Sequence, residues 1–176
     1  GAMGWETHPV TPDRFEDFAD VVNRNRRPTH CWCTTHRLTA GEIEELGGGS
    51  REQAMRALCE REHPPGVVTY RDGTPVGWCN IGPRSEITRL AQSRLMPPVD
   101  DVPVWSIVCV VVRPGHRRQG VTGFDREFEH LDDPGFVERR HLGENRRFFH
   151  NRGKLGIIEF GDVTAHDGRA DIESDL

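Results

Sequence analysis

An α/β fold with a mixed, mainly antiparallel sheet flanked by helices is what this 176-residue sequence predicts, on three observations. The stretch Val104–Val112 carries Ile107, Val108, Val110, Val111 and Val112, a near-continuous β-branched run expected of a strand buried on both faces. It breaks at Arg113-Pro114-Gly115 and passes into an arginine-rich, glycine-containing turn that opens a helix. Upstream, Val67–Tyr70 and Val76–Ile81 flank Asp72-Gly73, the pattern of a β-hairpin.

The remaining elements follow in chain order. Thr11-Pro12 is a cap and first helical residue, and Phe15, Phe18 and Val22 fall at helical spacing, so a helix is expected near residues 12–24. Residues 25–37 are irregular and carry Trp32. Residues 40–46 form a short helix ended by Gly47-Gly48-Gly49. Ser50 and Gln53 make a capping-box pattern for a helix whose inner face is Met55, Leu58 and Cys59, and Pro64-Pro65-Gly66 stops it. After the hairpin, residues 83–103 read in two ways. They are a polar lid or acceptor-binding loop, or a short helix over Ser85–Gln92 with a proline-fixed return. Val121, Phe124, Phe128 and Leu131 share one helical face. Residues 136–142 and 155–163 read as strands. The end is acidic, with six carboxylates and one arginine in Glu159–Leu176. One domain over residues 4–163 is expected, followed by a partly disordered acidic end at 164–176. Gly1-Ala2-Met3 reads as the scar of a cleaved tag.

Composition narrows the function classes. No apolar run is long enough to span a bilayer and no signal-peptide pattern appears, which predicts a soluble, cytoplasmic protein without a membrane partner. The formal net charge of −5 argues against a general nucleic-acid binder. Basic charge is nearly all arginine, Lys154 being the one lysine, as in proteins from high-GC bacterial genomes. Five cysteines, an odd number, argue against a disulfide scaffold. His30-Cys31-Trp32-Cys33-Thr34-Thr35-His36 is nonetheless dense in soft-metal ligands, and Cys59 and His63 stand at i,i+4. A zinc site is one reading of these residues, and buried or substrate-lining thiols are the other, preferred one; no metal is assigned.

The turn after Val112 is suited to an anion, because an incipient helix presents unpaired N–H groups and a positive dipole end, to which Arg117 and Arg118 add charge. Arg117-Arg118-Gln119-Gly120-Val121-Thr122, with Gly123 following, resembles the Q/R-x-x-G-x-G/A signature of the GCN5-related N-acetyltransferases, the GNAT superfamily. Val112-Arg113-Pro114-Gly115-His116 resembles that family's lead-in, and Pro75-Val76-Gly77-Trp78 its third strand. Asn145–Gly153 resembles the family's late helix, with Phe148 and Phe149 at its aromatic positions. Thr122 stands where Gly or Ala is usual, and Lys154 where an aromatic is.

The resemblance implies a GNAT-like sheet that binds acetyl-CoA as acyl donor and transfers acetyl to an amine of a small molecule or peptide. It places the pyrophosphate on Arg117, Arg118, Gln119, Gly120, Val121, Thr122 and Gly123, and the pantetheine arm along Val110, Val111 and Val112. Val110 or Val112 is then the backbone oxyanion donor. Asp100, Asp101 and Glu86 are candidate general bases, and Ser106 or Asn80 could hold a catalytic water. The tyrosine that protonates the leaving thiolate in many relatives is replaced here by Phe148 and Phe149, so water, His116, His150 or Cys109 stands in for it. Trp32, Trp78 and Trp105 are candidates to line the acceptor site, with core packing as the alternative. A homodimer is compatible with the sequence. Two other classes stay open: an inactive acyl-CoA-binding or regulatory relative, and a zinc module built on the histidine–cysteine cluster.

Overall fold

The computed structural model describes residues 4–98, 100–119 and 121 in full, and residues 146–151 and 155–161 as backbone. Its strands are β1 (Trp5–Pro9), β2 (Gly66–Arg71), β3 (Thr74–Pro83), β4 (Val104–Val112), β5 (Arg146–Asn151) and β6 (Leu155–Gly161). They form one six-stranded sheet in the order β1-β2-β3-β4-β6-β5, and every pairing among them is antiparallel. The helices are α1 (Phe15–Val22, preceded by a 3-10 turn at Pro12–Arg14), α2 (Ala40–Gly47), α3 (Arg51–Cys59) and the single turn α4 (Thr88–Ala91).

Of the predicted caps, Thr11 precedes the first turn without a side-chain cap bond, its hydroxyl donating to Asp13 instead, whereas Ser50 caps its helix. A further cap that the sequence reading did not name closes α2. Thr39 and Glu42 close a reciprocal capping box on α2, which ends at Gly48 with φ +57°. The Ser50 side chain accepts from the Gln53 amide at the start of α3. The hairpin turns at Asp72 and Gly73, both with positive φ. Residues 84–91 take the helical reading of their segment, a 3-10 turn at Arg84–Glu86 followed by α4. The Arg84 guanidinium fixes the return by donating to the carbonyls of Leu90 and Met96.

Aromatic packing makes the main core. Phe18 meets Trp78 edge-on at 4.5 Å, Phe15 stacks on Trp32 at 5.9 Å, and all four rings are at most 2 % exposed. This corrects the expectation that Trp32 and Trp78 line an acceptor site: each ring is enclosed by its neighbours and has no face left for a ligand. A smaller cluster joins Ile87, Leu90 and Val108, with Met96 against it. Arg37 is buried as well, and amide and carbonyl oxygens satisfy it. It donates to Asn80 Oδ1 (2.9 Å), Pro65 O (2.9 Å) and Ile81 O (3.0 Å), so one side chain ties the irregular 25–38 segment to β3 and to the bend before β2.

A second correction concerns residues 145–153. Where a helix was expected, Arg146–Asn151 is β5, paired along its whole length with Leu155–Phe160 of β6. Aromatic residues without alanine or leucine favour a pleated strand, and the ladder with β6 settles the choice. The expected helix on Val121, Phe124, Phe128 and Leu131, the strand at 136–142 and the acidic end lie outside the described residues.

Candidate functional site

The site is built on β4, whose two halves are paired differently. Val104–Ile107 pair with Gly161 to Ile158 of β6, and Trp105–Ile107 pair with β3 as well. From Val108 onward only β3 is a partner, so among the described residues the second edge of Val108–Val112 has no neighbouring strand. At the junction the ladder to β3 jumps, with Ile107 opposite Ile81 and Cys109 opposite Asn80. Val108 is therefore an extra residue, a β-bulge that bends the strand. Beyond the bulge Val111 packs against the core while Val110 is 42 % exposed. The open half thus offers backbone N–H and C=O groups to an extended amide-bearing ligand, in the manner of an added strand.

The open half runs directly into a basic loop. The Arg113 amide donates to Val76 O (2.9 Å) and its guanidinium to Pro75 O (3.0 Å), anchoring the turn on β3. Gly115, at φ +89°, and Arg118, at φ +61°, take the left-handed conformations that fold the loop back on itself. Arg117 Nε donates to Val112 O (3.2 Å). Gln119 bridges the loop, donating to Gly115 O (2.8 Å) and accepting from Arg71 (2.5 Å). Val121 seats against Gly77, where a Cβ would come within 2.8 Å of its Cγ1. Arg117, Arg118 and Gln119 are exposed, and no acceptor among the described residues takes their backbone N–H groups. A turn of successive amides flanked by arginines is a nest for a phosphate or similar anion. Gly120, Thr122 and Gly123 lie outside the described residues.

At the other end of β4, Trp105 is half-buried, with the His63 ring edge-on at 5.4 Å. His63 Nδ1 is 2.8 Å from Glu86 Oε1. With Nδ1 donating to that carboxylate, Nε2 carries the lone pair, which is the tautomer a proton acceptor needs. Asp100 and Asp101 are exposed in the segment that leads into β4, and Asp100 also accepts from the Val102 amide (3.0 Å). Ser106 is fully buried in the paired half, opposite Gly82 and Glu159.

A family model, the acetyltransferase (GNAT) family, matches residues 14–122, a span that holds α1 through β4 and the basic loop. The chain belongs to the GNAT family. No curated protein and no solved structure matches it. In GNAT terms, the antiparallel sheet with its flanking helices and the loop after β4 are the parts that the sequence made legible.

His63 is the residue that sequence reasoning missed. Its i,i+4 spacing from Cys59 allowed a zinc reading that the sequence did not favour; in the fold it faces Glu86 and Trp105, and Cys59 turns inward to donate to Met55 O. Among the described residues no three His, Cys, Asp or Glu side chains converge as a metal site, and no helix is long and apolar enough to cross a membrane. Cys109 points at Cys33, away from a role at the open edge. Tyr70, the chain's single tyrosine, is buried and donates to Asp17 (2.6 Å).

Proposed function

We propose that this protein is an acetyl-CoA-dependent N-acetyltransferase acting on an amine of a small molecule or peptide. One observation carries the reading: the edge of Val108–Val112, unpaired among the described residues, runs into a turn at Arg117–Gln119 whose amides have no acceptor among those residues. An extended chain of amides joined to a pyrophosphate is the ligand class that such a strand and such a turn accept together.

In this reading Val110, Val111 and Val112 supply backbone groups to the pantetheine arm. Arg117, Arg118 and Gln119, with Gly120, Val121, Thr122 and Gly123, hold the pyrophosphate. When bound, acetyl-CoA supplies the acyl group as an activated thioester. The amide of Val110 or Val112 stabilises oxyanion charge, since a fixed donor needs no reorganisation as that charge develops. At the far end, Asp100 and Asp101 draw in a cationic amine, and His63, oriented by Glu86, removes its proton. Trp105 walls this end. Ser106 positions the strand from its buried side.

Titration calorimetry with acetyl-CoA tests the donor half of the reading. Wild type should bind saturably, and an Arg117→Ala, Gly120→Trp double variant should not. A screen of amines for released CoA then tests transfer. His63→Gln should lower kcat while leaving acetyl-CoA affinity unchanged. A folded wild type that fails to bind acetyl-CoA would sink the proposal. Binding without transfer to any amine would select the second reading, an acyl-CoA-binding relative without catalysis. The engagement of Tyr70 with Asp17 favours that second reading, because it leaves the chain without a tyrosine to protonate a leaving thiolate.

A further inference from the structure

The Cys31-Trp32-Cys33 turn is unused by the proposed chemistry, yet its backbone is tightly held. Trp32 and Cys33 both have positive φ, +50° and +56°, a pairing that L-residues adopt at a cost of about 1–2 kcal/mol each. Four hydrogen bonds hold it. Trp32 N donates to His30 Nδ1 (2.9 Å), Thr34 N and Oγ1 both donate to Cys31 O (2.9 and 2.7 Å), and Asn80 Nδ2 donates to Cys33 O (2.9 Å). The result sends Cys31 outward and Cys33 inward. The Cys33 Sγ lies 3.9 Å from the Sγ of Cys109, the first β4 residue after the bulge, and Cys31 stands two residues before Cys33 in the same tight turn. The turn and the strand thus set an exposed thiol, a buried one and a β4 thiol in succession.

We propose that Cys31, Cys33 and Cys109 form a peroxide-oxidisable thiol site that ends in a Cys33–Cys109 disulfide. The Cys31 thiolate attacks the near oxygen of a hydroperoxide; the O–O bond breaks, Cys31 becomes a sulfenic acid, and the departing oxygen leaves as hydroxide or alkoxide and takes a proton from water. Cys33 sulfur then attacks Cys31 sulfur, its proton leaving with the hydroxyl as water, to give a Cys31–Cys33 disulfide. Cys109 thiolate attacks Cys33 sulfur, forming the Cys33–Cys109 bond and returning Cys31 as thiolate. Overall two thiols are oxidised, and the peroxide is reduced to water, or to an alcohol and water.

The electrostatics support this order. The Cys33 hydrogen bond holds the Cys31 thiol down to about 5, which makes Cys31 the first to react. Cys33 is pushed up by its hydrogen bonds to Cys109 and Cys31, and conversion of Cys31 to an uncharged sulfenic acid removes the second of these before Cys33 attacks. In the reduced protein Cys109 is held below an ordinary thiol by its hydrogen bond with Cys33. At neutral pH Cys31 then holds about thirtyfold more thiolate than an ordinary thiol. Cys59 and Cys79 serve as internal controls, both pushed up to about 12 by burial.

Hydrogen peroxide added to the whole folded protein, followed by alkylation and non-reducing peptide mass mapping, tests the site without reference to acyl transfer. The expected product is a Cys33–Cys109 cross-linked peptide, reversed by a thiol reductant, with Cys59 and Cys79 still alkylatable. Cys31→Ser should slow its appearance about tenfold or more, in line with the thiolate dependence of attack, and Cys109→Ser should stop at the Cys31–Cys33 bond. Circular dichroism confirms that the variants are folded. Oxidation of Cys31 to sulfinic acid with Cys33 and Cys109 left free would overturn the proposal, and so would reaction no faster than at Cys59 and Cys79.

Discussion

The two halves of β4 belong to one continuous β-branched strand and have opposite tasks. Trp105–Ile107 are held between two strands, and Ser106, Ile107 and Val104 are at most 9 % exposed. Val108–Val112, with four valines in five residues, are held on one side only among the described residues, and Val110 stands 42 % exposed. What separates them is pairing: the ladder between β4 and β6 ends at Ile107 and Ile158, although β6 itself runs on to Leu155, and the bulge falls at the next residue of β4. Side-chain type tells which residues can form a strand; neighbours decide whether that strand is scaffold or template.

Four predictions bear on this contrast, the largest first. Ile107→Ala, in the doubly paired half, should cost about 2–5 kcal/mol of stability in urea unfolding. Val110→Ala should change stability by no more than about 0.5 kcal/mol. Similar losses at both positions would erase the distinction. Next, Arg117→Ala with Arg118→Ala should weaken acetyl-CoA binding about tenfold or more, each charged hydrogen bond being worth about 1.5–3 kcal/mol before solvent screening. The melting temperature should hold, and the residual affinity should depend less on salt. Gly77→Ala should act between these extremes, because its Cβ would displace Val121 from β3. A loss of acetyl-CoA affinity of a few-fold is expected, read by calorimetry.

The smallest effect is a control away from β4. Burial, and then the hydrogen bond to Asp17, raise the Tyr70 phenol above its ordinary value of 10. A raised folded value means that the neutral phenol is the stabilised form. Its contribution is therefore complete below pH 10 and lost as pH climbs through the folded value. Stability measured by urea unfolding should decline slightly more steeply above pH 10 in wild type than in Tyr70→Phe, with acetyl-CoA binding unaffected by the substitution at neutral pH.

Much of the frame was legible before any coordinates. The β-branched run of β4, the Asp72-Gly73 hairpin and the capped helices each carry a local signal that agrees with the fold. Strand β1 was missed because Trp5-Glu6-Thr7-His8-Pro9 has no alternation and ends in proline; it is a strand through its ladder to β2. Residues 146–151 were misread because a motif-like spacing of Asn145, Phe148 and Phe149 outweighed a composition poor in helix formers. At the site, the loop arginines could be named from sequence. The His63–Glu86 and Cys33–Cys109 contacts could not, since each joins segments more than twenty residues apart and only tertiary packing brings them together.

The bulge has one more consequence. Eight residues of β4, Trp105–Val112, face seven of β3, Gly77–Pro83. Val108 is the residue without a counterpart, so its deletion alone would leave all the cross-strand partners between β3 and β4 as they are. By the arithmetic of pairing it is surplus. Yet without it the strand would run straight, its alternation unbroken from end to end, and β6 could follow it past Ile107 and zip the slot shut. The opening in this sheet is kept by a miscount.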